Sequence, residues 1–191
     1  MPGLPARQTG KRGKKAPKKI TESYLHNSGL HYLQRFATGT ENFRRVMIRK
    51  IDRSCRHHTD QNRDDCLRMV DALIEKFTRS GLLNDETYTS GKVASLRRRG
   101  ESSRAIEARL QAKGVGREDI RRALTTLQDS GGNDDFHAAL RFARRRRLGP
   151  FAGGKAKEPE KQMAAFARAG YGYDVAGRVL KTSREDAESL I

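Results

Sequence analysis

The chain has 191 residues, of which 33% are charged, 35% hydrophobic and only 6% aromatic; so little apolar material excludes a thick sandwich or barrel and favours thin helical modules. Forty lysines and arginines against 23 acids leave a formal net charge of +17, which points to a polyanionic partner reached through a salt-screened field. Two cysteines make no disulfide framework, and no apolar run is long enough for a membrane span or secretory signal, so a cytoplasmic protein is expected.

Residues 1–20, MPGLPARQTGKRGKKAPKKI, carry seven Lys/Arg, no acid and hardly any bulky apolar side chain. Such a segment cannot offset its ordering entropy and reads as a disordered basic arm. A transit peptide is the competing reading, disfavoured by the lysines, the prolines and the lack of amphipathic periodicity. From residue 21 onward apolar residues recur at three and four rather than two, so every element reads as helix. Leu30, Leu33 and Phe36 mark a leading helix, and Thr38 with Glu41 reads as a capping box opening the next, which holds Phe43 and Met47. The stretch CRHHTDQNRDDC contains Cys55, His57, His58 and Cys66, but zinc wants ligand pairs at CxxC or HxxxH spacing and finds none here. No metal or cofactor is expected. Val70, Leu73, Ile74 and Phe77 form the following helix, closed by a turn at Gly81–Asp85.

The same order then recurs. Tyr88, Val93 and Leu96 lead, and Ile106 with Leu110 follows at an offset of 63 from Phe43 and Met47. Ile120, Ala123, Leu124 and Leu127 repeat Val70, Leu73, Ile74 and Phe77 at an offset of 50, so the first unit carries 13 extra residues over 51–63. After the Gly131–Asp134 turn, Phe136, Leu140 and Ala143 lead a third copy; a long loop over 148–160 precedes Pro159, which suits a first helical turn. FARAGYGYDVAGRVL completes it, with Gly170 matching Gly114 as the residue that closes a helix in the left-handed conformation. The expectation is an all-α protein of three tandem three-helix repeats forming an elongated, curved array. Its parts are the arm (1–20), repeats over 21–85, 86–134 and 135–183, and a tail over 184–191.

The arginine runs are the candidate binding residues. Arg97, Arg98 and Arg99 end one leading helix, and Arg144, Arg145, Arg146 and Arg147 end the next at an offset of 48, with Arg141 one turn upstream and Arg104 nearby. Arg109, Lys113, Arg121 and Arg122 extend the stripe. Guanidinium forks suit phosphate or carboxylate in bidentate fashion, although consecutive arginines fan by about 100° and cannot all face one partner. Cations near a helix C-terminus are also mildly stabilising without any ligand. Phe142 and Phe151 read as core or loop anchors rather than base-stacking platforms. No phosphate loop, HExxH motif or nucleophile elbow occurs, and the five histidines form no acid-base set, so the chain is not expected to be an enzyme.

SGLLND at 80–85, RRRGESSRAIEARLQAKGV at 97–115, RRLGPF at 146–151 and AAFARAGYGYDVAGRVL at 164–180 occur in an order and spacing that resembles the RecX regulatory proteins of bacteria. The resemblance covers residues 24–181. It implies a non-enzymatic modulator that lies along the RecA nucleoprotein filament and lowers its ATP turnover and strand exchange, within DNA recombination, repair and the SOS response. It also implies direct affinity for DNA. A monomer is expected, with no membrane association. The alternative is a nonspecific DNA-binding or architectural protein acting without RecA; a helix-turn-helix transcription factor, suggested only by the three-helix units, is weaker.

Overall fold

The computed structural model describes residues 16–131, 134–153 and 158–191. The chain is all-helical: ten α-helices and one 3-10 turn, with no strand among the described residues. The helices are α1 (Glu22–Leu33), α2 (Thr40–His57), α3 (Arg63–Arg79), α4 (Asp85–Arg98), α5 (Ser103–Gln111), α6 (Arg117–Asp129), α7 (Asp135–Arg146), α8 (Pro159–Arg168), α9 (Tyr173–Lys181) and α10 (Arg184–Ser189). The 3-10 turn, Gly149–Phe151, lies between α7 and α8. Helix starts follow local chemistry: Thr21, Asn62, Asn84, Ser102, Asp134 and Ser183 each accept from a backbone N–H of the first turn.

Three separate cores form. In the first, α1, α2 and α3 bury Leu25, Phe43, Met47, Ile51, Val70 and Phe77. Gly29 lets the Phe43 and Phe77 rings meet at 5.8 Å, because a Cβ there would lie 2.9 Å from Phe77 and 3.0 Å from Phe43. In the second, Val93, Leu96, Ile106, Leu110 and Ile120 join α4, α5 and α6. The third replaces large aliphatics with buried Ala138, Ala139, Ala143 and Ala176, and the space goes to Phe142, Phe166 and Tyr171, whose ring centroids are 5.4–5.9 Å apart. Small residues on α7 and α9 are therefore matched to an aromatic triangle, which conserves core volume.

The junctions between cores are polar and repeat. Asp85, the first residue of α4, accepts from the N–H of Thr40, the first residue of α2, at 2.6 Å. Asp135, the first residue of α7, accepts from the N–H of Ser103, the first residue of α5, at 2.8 Å. Each leading helix thus supplies a carboxylate to the positive end of the middle helix of the preceding unit, where an unpaired donor and the helix dipole both favour it. The third middle helix, α8, begins with Pro159 and has no N–H at that position, so the series of donors stops there. The closing glycines touch the same ends: Gly114 (φ +84°) lies against Glu41, and Gly170 (φ +86°) against Ser102.

Several expectations are corrected. The capping box at Thr38 and Glu41 does not form. Gly39, one residue later, is the N-cap of α2; Thr38 accepts from Asn42, Glu41 pairs with Arg45, and the N–H of Thr40 is served by Asp85. Phe36 lies beyond α1 and is 54% exposed. The expected tail folds as α10, which adds Ala187 and Ile191 to the third core. The arm was expected to run through residue 20; residues 1–15 lie outside the described residues, but 17–20 are seated on the first unit by four hydrogen bonds to their backbone, and Ile20 is buried in its core. The 13 extra residues prolong α2 to His57 and form the short loop before α3.

Candidate polyanion-binding site

Helices α4 and α7 cross closely because Gly100, at the end of α4, has no side chain. A Cβ there would lie 2.7 Å from the amide nitrogen of Phe142 and 2.8 Å from the carbonyl oxygen of Ala138, both backbone atoms of α7. This contact brings the arginines at the end of α4 beside those of α7. Arg98, Arg99, Arg141, Arg144 and Arg145, with Ile191, line one hollow of about 480 Å³. Arg145 donates to the carbonyl of Arg99 and lies 5.9 Å above the Phe142 ring, so its fork is held at the rim.

The other four sequence candidates fall elsewhere. Arg97 is buried, 4% exposed: it pairs with Asp135, donates to Ser103 and donates to the carbonyl of Glu101 at 3.1 Å. It is a structural cation locking α4 to α5 and α7, not a surface contact. Arg146 lines a different, smaller hollow of about 270 Å³ that it shares with Arg168. Arg104 lies in the first turn of α5 beside Gly170. Arg147 closes α7 in the left-handed conformation, φ +54°. Of the extended stripe, Arg109 pairs with Glu101 at 3.3 Å and Arg122 pairs with Asp119.

The repeat register also shifts by one. Gly100 and Arg147 are both left-handed, and the following amides return to equivalent carbonyls, Glu101 to Leu96 and Leu148 to Ala143. The ends of α4 and α7 therefore superpose at an offset of 47, not the 48 expected, and Arg147 occupies the place of a glycine.

Burial, reinforced by the Asp135 charge, pushes the Tyr171 phenol far above its ordinary value against the opposing pull of Arg97 and Arg145, so it stays neutral. Burial raises the Asp134 carboxyl, but hydrogen bonds from the His137 amide (3.0 Å) and imidazole (2.7 Å) outweigh this and hold it below its ordinary value at the start of α7. Five arginines line the hollow, and no Asp or Glu is among the lining residues. A polyanion entering would accept from several arginine forks at once. Asp135 reads from sequence only as an acid at a helix start; its pairing with Arg97 and Ser103 was missed, although an acid opens each leading helix at Glu22, Asp85 and Asp135 and that recurrence was a usable signal.

Among the described residues no group of three or more His, Cys, Asp or Glu side chains converges as a metal site, and no helix is long and apolar enough to cross a membrane. Residues 84–124, covering α4, α5 and most of α6, match the family model described as RecX, second three-helix domain. The chain is 38% identical over 175 residues to the regulatory protein RecX of Myxococcus xanthus, covering 90% of this chain and 92% of that one. It is 35% identical over 114 residues to the regulatory protein RecX of Agrobacterium fabrum, 57% of each chain. It is 30% identical over 113 residues to that of Ectopseudomonas mendocina, 59% of this chain and 72% of the relative. No solved structure matches the chain. Likeness along nine-tenths of its length, with a three-helix domain match falling on its middle unit, means that the chain belongs to the RecX family.

Proposed function

We propose that the chain is a non-enzymatic, monomeric regulator in the cytoplasm that binds the RecA nucleoprotein filament on DNA and lowers its ATPase, strand-exchange and recombination activity. Family membership supports the class of function, and the single observation that carries the site is the gathering of Arg98, Arg99, Arg141, Arg144 and Arg145 around one hollow. A row of modules with polar junctions suits contact with successive subunits of a filament. A ligand without catalytic groups changes turnover only by binding one filament state better than another, so the effect is a population shift.

The test is an ATPase titration of RecA on single-stranded DNA. Turnover falls as the chain is added, and a variant with Arg98, Arg99, Arg144 and Arg145 changed to alanine inhibits much less. Full inhibition by that variant would remove the hollow from the site, and no inhibition by the wild type at saturation would sink the reading.

The net charge of +17 favours one second reading, a nonspecific DNA binder acting without RecA. Equal affinity and equal salt dependence on naked and RecA-coated DNA would select it.

A further inference from the structure

The extra 13 residues of the first unit and the start of the described chain build one object. Ser54, buried on α2, donates from its hydroxyl to the carbonyl of Lys18 at 2.8 Å. His58 donates through Nε2 to the carbonyl of Pro17 at 2.8 Å. The Gln61 side chain pairs both ways with Ile20, accepting its N–H and donating to its carbonyl, each at 2.9 Å. Ser54, His58 and Gln61 all lie in the elongation, and Ile20, 3% exposed, anchors the strap in the core. The conformation of residues 17–20 is therefore specified, not incidental.

The strap completes a hollow of about 470 Å³ walled by Lys18, Lys19, Lys50 and His31, with Tyr24 and the hydroxyl and amide groups of the adjoining face of α1. No carboxylate lines it. Lys19 turns away to pair with Asp60, and the Lys50 ammonium stands 6.0 Å from the Tyr24 ring centroid, which leaves Lys18 and Lys50 as the principal cations. Flexible point charges, neutral hydroxyl and amide donors and an absence of large aliphatic anchors describe a surface for phosphate oxygens; a protein partner would want buried apolar or aromatic contacts at the centre.

We infer that this lysine hollow is a second nucleic-acid site, taking the sugar–phosphate backbone, and that the elongation of the first unit serves to seat the strap that builds it. It is distinct from the arginine hollow between α4 and α7, and it does not rest on the RecA reading. A strand long enough to engage both is held by two anchors, and the second engagement becomes intramolecular.

The experiment uses the full chain and a fluorescent 40-nucleotide oligothymidine, without RecA, with affinity followed by anisotropy over a range of salt. In Lys18→Gln/Lys50→Gln the slope of log K against log salt becomes shallower by about 0.7 for each lysine removed. Lys161→Gln/Lys181→Gln, two exposed lysines of the third unit that line no part of the hollow, loses the same charge and keeps the wild-type slope. Gln61→Ala keeps every charge but releases the strap, and it reproduces the shallower slope while the helical circular dichroism stays native. Equal shifts in both lysine pairs would show a diffuse field and overturn the site, and an unchanged slope in Gln61→Ala would overturn the role of the strap. Binding of anionic lipid vesicles through Lys18 and Lys50, with the strand unaffected, would overturn the nucleic-acid assignment. Because RecA is absent, these outcomes leave the filament reading untouched.

Discussion

Arg97, Arg98 and Arg99 are identical in type and adjacent, yet only Arg98 and Arg99 reach the hollow while Arg97 is enclosed with Asp135, Ser103 and the Glu101 carbonyl. Removing one partner of a buried pair leaves the other uncompensated, so Arg97→Ala is expected to cost about 3 kcal/mol in urea unfolding. Arg97→Lys recovers little of this because an ammonium cannot span three acceptors in a planar fork. Arg98→Ala, on the exposed face, is expected to stay within about 0.5 kcal/mol. Arg147 behaves in the opposite sense. Its left-handed backbone strains any residue with a Cβ, and Gly100 at the equivalent place avoids that strain, so Arg147→Gly is expected to raise stability by about 0.5–1 kcal/mol. An unchanged or lowered urea midpoint would refute this.

Helix ends carry the next set of consequences. Asp134 caps α7 and its carboxyl is held below the ordinary carboxylate value by His137 after burial is overcome. A carboxyl whose folded value lies below its unfolded value of about 3.9 contributes fully above that pH and loses its contribution as pH falls through the folded value. Wild type is therefore expected to exceed Asp134→Ala by about 1 kcal/mol at neutral pH, with the gap closing below about pH 4 in melts taken at successive pH. Gly100→Ala is more severe than any cap, because the new methyl meets backbone atoms of α7 that cannot yield. Helix identity and the closing glycines Gly114 and Gly170 were legible in the sequence, since apolar spacing and the need for a left-handed residue act within a few residues. The failed capping box at Thr38 shows the limit: Gly39 is the N-cap instead, and the N–H of Thr40 is served by Asp85, 45 residues away.

Three cores joined by polar junctions make a molecule whose cooperativity depends on a few long-range contacts. The first junction rests on Asp85 with Thr40 and on the Arg45 guanidinium, which donates to the Ala112 carbonyl at 3.1 Å; the second adds the close crossing of α4 and α7. Asp85→Ala is therefore expected to uncouple the first unit, seen as a lowered apparent m value or two resolved steps in urea, whereas a single unchanged transition would show that the junction is not the coupling element. Helical class, the threefold repetition, the 13-residue elongation and the excess of positive charge follow from local periodicity and composition, which need no knowledge of packing. Which arginines meet was not legible, because neighbours on a helix point about 100° apart and their destinations depend on how α4 crosses α7 at Gly100. The lysine hollow was hidden for a related reason: residues 17–20 look unstructured alone, and only the side chains of Ser54, His58 and Gln61, brought back by the turn between α2 and α3, satisfy their backbone.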